Sequence, residues 1–507
     1  MIPTPAAERA ALRVLVTAGL VQVLLVVGVA RAQVIALFSP GGLTRPQIVG
    51  TSVSGLDPHG YYAWLRSSLV DGDWDFANEF DYVRSYTSNV EVLNARTPNG
   101  HVANQWSVGP AVVWAAAVVP VHLALTAAGV RADDPCGYAA PYQLAVWAVT
   151  FALSLVTLVY GYRLARLFAP PVAAATAAAL TVLGTSVIAY GVVEPGMAHG
   201  PATAALAVYL CVWARSFGGT DSGRWFGVGL LLGATCLMRW QLATFAALPA
   251  LEALWLVRTN RPRAVRAGGL LALAAVGSLV TFAPQMIAWT AVYGRPLVNP
   301  HPTAAEWLNP SFWTVLCSPD RSLFYWTPVA LVGVLGLVSA ARPGGAGGAR
   351  GRILLAAVGL QIYAMAALID RGVNLGSSFG FRLLTETNAP LVVGLAVLLR
   401  RAGPRRPAVV ALAAGAAVAW NFLLMGVFAR GVAGAETGPA GLVHAVYRYF
   451  IRRPLEAPLL VALAVALAVR IRREFDSPPA PVPARPAGEF GLAAVLARFG
   501  FKRPAPR

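Results

Sequence analysis

The stretch WSVGPAVVWAAAVVPVHLALTAAGV, residues 106–130, decides how this chain is threaded. It is apolar and long enough to cross a bilayer, but Pro110 and Pro120 interrupt it. Ahead of it lies one apolar run, 14–30. Behind it lie runs at 139–162, 171–190, 200–214, 225–238, 241–257, 267–290, 323–341, 353–369, 387–399, 407–429 and 455–469. Arginines cluster on the cytoplasmic side of membrane proteins, and this tests both threadings. With 106–130 lying in the outer interface, the inner loops collect Arg163, Arg166, Arg215, Arg224, Arg258, Arg261, Arg263, Arg266, Arg342, Arg350, Arg352, Arg400, Arg401, Arg405 and Arg406. With 106–130 crossing, all of them move outside. The non-crossing threading is the expectation.

Composition sets the class. The 507 residues are 57% hydrophobic and 12% charged, and the apolar residues come in long runs. This predicts an all-α integral membrane protein, a polytopic helical bundle with about 12 spans. The net charge of +18 does not imply nucleic acid, because the arginines sit in short clusters between apolar runs. Lys502 is the only lysine, and the alanine, glycine and proline bias reads as a high-GC bacterial composition. The expected location is therefore a bacterial cytoplasmic membrane. Residues 1–13 form a cytoplasmic start, 14–474 the membrane domain and 475–507 a flexible Pro-rich cytoplasmic tail. Arg9 and Arg13 before the first run make it resemble a signal peptide, and the runs that follow favour an uncleaved anchor. Cys136, Cys211, Cys236 and Cys317 have no metal-type spacing.

The long first outer loop, 31–138, carries interfacial helices and the most polar stretch of the chain, TSVSGLDPHGYYAWLRSSLVDGDWDFANEFDY at 51–82. Most acids fall on the expected outer side, a bias the arginine rule does not ask for. Function is expected there. Asp57, beside His59, Tyr61 and Tyr62, suits a general base that takes a proton from an acceptor hydroxyl. Asp-Pro-His-Gly is equally a good turn sequence. Asp71-Gly-Asp73-Trp-Asp75 lacks the glycine and glutamate of a calcium loop and reads as a solvated acidic turn. Asn78, Glu79 and Asp81 fall under the same reading.

Arg239 is more informative. The runs 225–238 and 241–257 are joined with almost no loop, and fourteen residues reach about 20 Å, short of a core about 30 Å thick. Arg239 therefore sits below the outer surface in a cavity and needs an anionic partner. A lipid phosphate or one of the outer acids would serve. The other outer loops offer His101, Gln105, Glu194, His199, Gln285, His301, Arg321, Arg382 and Glu386 as substrate-binding candidates. Together they supply isolated cations and acids in aromatic or proline frames, as a phospholipid head group and a sugar require. No P-loop, HExxH, GxSxG or paired CxxC occurs, so nucleotide hydrolysis, zinc proteolysis and serine-hydrolase chemistry have no support.

The order of these parts resembles the GT-C superfamily of polyprenyl-phosphate-sugar-dependent glycosyltransferases, which includes protein mannosyltransferases and aminoarabinose lipid A transferases. The residues that carry the resemblance are DPHGYYAWLRSSLV (57–70), TPNGHVANQWSVGP (97–110), GVGLLLGATCLMRWQLATFAALPAL (227–251), PQMIAWTAVYG (284–294), SPDRSLFYWTP (318–328) and GSSFGFRLL (376–384). It spans roughly residues 10–430. The resemblance implies a polyprenyl-phosphate-linked sugar donor bound from the outer leaflet and a lipid, glycan or protein acceptor. It also implies an acidic base soon after the first span, which maps by position onto Asp57. Arg239 and Arg382, with Arg321 behind them, match the positive charge needed on the departing phosphate. Many relatives carry an acidic pair where this chain has Asp57-Pro58-His59, which leaves His59, Glu79 and Asp81 open as helpers or replacements. Some branches use a divalent cation such as Mg or Mn and others do not. A lipid-linked glycan ligase is the first alternative, since it would use the same arginines. A glycolipid transporter or flippase is the second, against which the long runs are nearly free of charge. A non-catalytic assembly partner is the third.

Overall fold

Helix α1 (Pro5–Leu37) begins where Thr4 Oγ1 accepts a hydrogen bond from Ala7 N at 3.3 Å and Pro5 takes an early helical position. Ala11, Val14, Ala18, Val21 and Leu25 are buried, whereas Leu12, Val16, Leu20, Leu24 and Val27 are each more than half exposed. A stripe of that kind fits hydrocarbon, not water. The computed structural model describes residues 4–46, 55–84, 93–130, 136–259, 261–300, 305–319, 321–345, 347–369, 378–429 and 439–476.

The order continues with α2 (Leu56–Arg66), α3 (Ala77–Arg84), α4 (Gly109–Ala127), α5 (Ala140–Ala165), α6 (Pro171–Leu183), α7 (His199–Ser216), α8 (Ser222–Met238), α9 (Ala247–Thr259) and α10 (Arg261–Tyr293). Then come α11 (Phe312–Leu316), α12 (Leu323–Trp326), α13 (Pro328–Ala341), α14 (Gly348–Leu368), α15 (Asn388–Ala402), α16 (Pro407–Ala429), α17 (Pro439–Arg452) and α18 (Glu456–Asp476). The described residues hold no strand, only an isolated bridge between Arg96 and Val102. The described residues form an all-helical bundle, and its long apolar helices make the chain a multi-pass membrane protein.

Two expectations need correction. Among the described residues seven helices are by themselves long and apolar enough to cross a membrane, or eight if α17 and α18, which meet at 111°, form one broken span. The expected runs at 171–190, 225–238, 323–341 and 387–399 instead hold helices of 13, 17, 14 and 15 residues. Helix α6 stops at Gly184, α8 stops at Arg239, and Pro328 starts α13 one residue after α12. The second correction concerns the two prolines of 106–130, which do not interrupt its helix. Pro110 lies in the first turn of α4, where no N–H is needed, and Pro120 lies inside an unbroken 19-residue helix. That helix meets the length and composition standard for a span.

The core explains the short helices. Helix α6 is buried along almost its whole length and packs against α1, α5 and α15, so protein rather than lipid surrounds it. Its C-terminal carbonyls are met by Asn421 of α16, whose Nδ2 donates to Leu183 O and Thr185 O at 2.9 Å each. Glycine lets two pairs of helices approach backbone to backbone. A Cβ on Gly233 of α8 would lie 2.1 Å from Ser278 O of α10, and one on Gly336 of α13 would lie 2.1 Å from Gly394 O of α15.

The two ends of the bundle differ in kind. One end is laced by ion pairs: Glu8 with Arg166 at 3.1 Å, Arg13 with Glu474 at 2.6 Å, and Arg224 with Glu252 at 2.7 Å. The opposite end carries α2, α3 and the segments that follow α6, α8 and α14. An aromatic core of Trp64, Phe76, Phe80, Trp106 and Trp114 holds the first of these parts together.

Candidate functional site

Gly55, at φ 91°, turns the chain into α2, so Asp57 and Pro58 occupy the first helical turn rather than a free loop. An acid there faces the positive end of the helix dipole. Asp57 Oδ1 accepts a hydrogen bond from Trp106 Nε1 at 2.9 Å, and Oδ2 lies 2.6 Å from Arg382 Nη1. The two side chains of this ion pair are 24% and 28% exposed, so it opens to the surroundings. Gly60 leaves room for the indole, since a Cβ there would lie 1.9 Å from the Trp106 ring. Asn104 locks the arrangement, with Nδ2 donating to Gly60 O at 3.0 Å and Oδ1 accepting from Trp106 N at 3.1 Å.

A second group sits beside this one and is sealed. Arg239 ends α8 in an extended conformation and is 3% exposed. Its Nη1 donates to both carboxylate oxygens of Glu386 at 2.9 Å. His199 Nδ1, at the start of α7, lies 2.9 Å from Glu386 Oε1 and 2.9 Å from Arg239 Nη1. Burial alone would raise the Glu386 carboxyl, but Arg239 and His199 hold it down at about 2. Of the two partners open to Arg239, the protein acid is therefore the one seen.

Tyr61 lies between the two groups. Burial pushes its hydroxyl up to about 12, while it feels the charges of Arg239, Asp57, Arg382 and Glu386. Glu194, half-buried, faces the same place: burial pushes it up to about 7, opposed by Arg382 and reinforced by Asp57. Tyr190 anchors the segment that bears Arg382, since its hydroxyl donates to Phe379 O and accepts from Phe379 N, each at 3.1 Å. Its ring stands 4.6 Å from that of His199. Asp57, Tyr61, Glu194, His199, Arg239, Arg382 and Glu386 thus converge from four separate stretches of chain.

Other candidates are placed elsewhere. His59 is fully buried, with Nε2 2.7 Å from Tyr138 Oη and its ring stacked on that tyrosine. Tyr62 donates to Gly137 O at 2.7 Å. Glu79 is buried against Arg66 at 2.9 Å, and Arg66 also pairs with Asp71. Asp81 is 72% exposed and paired with Arg84 at 3.3 Å. Gln285 is buried and accepts from Val108 N at 2.9 Å, which ties α10 to the start of α4. Arg321 takes a left-handed backbone, φ 59°, just before α12. Gln105 is half-buried beside Trp106, and His101 lines a separate cleft. His301 lies outside the described residues.

Among the described residues no three His, Cys, Asp or Glu side chains converge as a metal donor set, and Asp57 and Glu194 face an arginine instead. Trp106 and Tyr190 were not singled out from the sequence. The signal for Trp106 was its place in HVANQWSVGP, between the polar loop and an apolar helix.

No protein-family model and no curated protein matches the chain. Among solved structures, 93% of it aligns with 57% of the Archaeoglobus fulgidus oligosaccharyltransferase in the apo form, at 14% identity and a TM-score of 0.42. The same share aligns with 56% of the archaeal oligosaccharyltransferase AglB from Archaeoglobus fulgidus in complex with an inhibitory peptide and a dolichol-phosphate, at 13% identity and a TM-score of 0.41. The complex of the A. fulgidus enzyme with Zn and sulfate aligns over 94% of this chain and 58% of its own, at 15% identity and a TM-score of 0.45. The chain spans less than two thirds of each of these solved chains.

Proposed function

We propose that this chain is an inverting glycosyltransferase that moves a sugar from a polyprenyl-phosphate donor to a hydroxyl acceptor on the outer face of a bacterial cytoplasmic membrane. The observation that carries the reading is Asp57, a part-exposed carboxylate held by Trp106 and Arg382 beside the sealed Arg239–Glu386–His199 group. In this reading Asp57 takes the acceptor hydroxyl proton, and the oxygen attacks the anomeric carbon from the face opposite the phosphate. The bond from that carbon to the phosphate oxygen breaks, and its electron pair leaves with the polyprenyl phosphate.

Arg382 is the cation for that leaving group. Arg239 is sealed against Glu386, whereas Arg382 is open and needs only to exchange one anion for another. The two ends of the bundle support this orientation. The Asp57 group lies at the end opposite Arg166, Arg224 and Arg13, the end expected to face the cytoplasm. Helix α4 then lies along the outer interface, as the arginine distribution asks.

The test is transfer of labelled sugar from a panel of polyprenyl-phosphate sugars, comparing wild-type membranes with Asp57→Asn. Loss of transfer with donor binding kept supports both enzyme class and base. Undiminished transfer removes Asp57 from the role, and absence of donor binding in the wild type sinks the transferase reading.

A further inference from the structure

A cleft of about 460 Å³ opens away from Asp57, between the first polar loop and the far end of α10. Ser68, Asp73, Trp74 and His101 line it on one side, and Ala291 and Val292 on the other. A second concavity of about 520 Å³ runs along α10 past Ala283, Met286, Ile287 and Pro296, and it shares Ala291 with the first. The two adjoin at Ala291 and are treated together as a trough, the first part carrying polar side chains and the second almost wholly apolar. Ala283 to Ala291 is eight residues of helix, about 12 Å of depth, close to one leaflet of hydrocarbon. A molecule that fills both parts is an amphiphile with its head at the end of α10 and its chain along the helix.

The polar part selects among head groups. None of the described residues lining it is Arg or Lys, so they supply no cation for a phosphate. Asp73 uses Oδ1 on Ser67 Oγ at 2.9 Å and Asp75 N at 3.1 Å, which leaves Oδ2 for a ligand hydroxyl. Trp74 is held by its edge, with Nε1 donating to Ser68 Oγ at 2.7 Å and its ring edge-to-face with Trp64 at 5.9 Å. A fixed indole beside a carboxylate and an imidazole suits a sugar ring, with apolar C–H groups on its face and hydroxyls at its rim. Trp64 also donates to the carbonyl of Trp106, the residue that holds Asp57, so the trough and the base share one aromatic support.

We propose that this trough binds a neutral glycolipid, sugar against Trp74 and acyl chain along α10, at a site separate from Asp57. The binding does not depend on the transferase reading.

The experiment uses the purified full chain, delipidated in detergent and offered monoglucosyl diacylglycerol and phosphatidylglycerol together, with retained lipid read by native mass spectrometry. Wild type is expected to retain the glucolipid about tenfold over phosphatidylglycerol. Ala291→Trp, at an exposed position that closes the trough, and His101→Ala, which removes a rim donor, are each expected to lower that preference with Tm unchanged. Asp57→Asn is expected to keep it, since Asp57 does not line the trough. Equal retention of the two lipids, or an unchanged preference in both trough variants, overturns the site.

Discussion

Arg382 Nη1 sits 2.6 Å from Asp57 Oδ2, and this one contact neutralises both the base and the leaving-group cation of the proposed reaction. A partly exposed pair of this kind is worth little to stability, so it is easily exchanged. A donor phosphate carries the charge to compete for Arg382, and the carboxylate it releases is then free to accept a proton. The pair thus orders the reaction, donor first and acceptor deprotonation second.

Arg382→Gln tests that role. It unmasks Asp57 but leaves the departing phosphate without its cation, and single-turnover transfer at saturating donor is expected to fall by about 100-fold or more. Arg382→Lys keeps the charge and loses the planar fork, so an intermediate rate is expected. A rate unchanged in both variants would assign Arg382 a structural role only.

Trp106 is expected to position Asp57 rather than to touch substrate. Trp106→Phe keeps the ring and removes the Nε1–H that meets Oδ1 at 2.9 Å. Hydrogen bonds to a charged group contribute about 1.5–3 kcal/mol, and losing one that favours the carboxylate moves the acid limb of the rate–pH profile upward. Gly60→Ala acts on the same ring by intrusion, since the added Cβ would lie 1.9 Å from it. Overpacking of that kind costs about 1–3 kcal/mol, so Tm and transfer are both expected to drop. An acid limb that stays in place in Trp106→Phe would dismiss the positioning role.

Membrane helices were legible because hydrocarbon demands long apolar runs without charge, as at α1, α5 and α16. The number of crossings was less so. Helices such as α6 and α15 are surrounded by protein, and nothing holds their length to the thickness of a bilayer. In the site, Arg239 stood out because two short apolar runs met at it, and Arg382, Glu386 and Glu194 because each is an isolated charge at the end of an apolar run. Their pairing was not legible, since residues 57, 239 and 386 are joined only by the packing of helices far apart in sequence. His59 and Tyr62 stand beside Asp57 in the sequence as a helper and a binding candidate, but the helical turn of α2 sends them to Tyr138 and Gly137. Trp106 passed unnoticed because a tryptophan before an apolar helix reads as an interface anchor.

The sealed pair behaves in the opposite way to the open one. Glu386→Gln would leave Arg239, 3% exposed, without its counter-charge, and breaking one side of a buried pair costs about 3–5 kcal/mol. Replacing both residues, with Arg239→Leu and Glu386→Leu in one chain, removes the stranded charge and is expected to recover most of the lost Tm. A double variant no more stable than the single one would mean that His199 and its neighbours cannot close over apolar side chains.

Glu79 supplies a pH dependence of stability. It is buried beside Arg66, and burial pushes its carboxyl from 4.5 up to about 7 against the pull of that guanidinium 2.9 Å away. In the unfolded chain the proton leaves near 4.5, whereas the folded chain keeps it to about 7. Between those values the folded form binds more protons, so this residue's contribution is fully present below 4.5 and is lost as pH rises toward about 7. Glu79→Gln removes the titration and leaves Arg66 its contact with Asp71. The fall in Tm between those two pH values is therefore expected to be shallower in the variant than in the wild type. If the two lose Tm in parallel, Glu79 is ionised across the whole window, and the Arg66 pair outweighs the cost of burial.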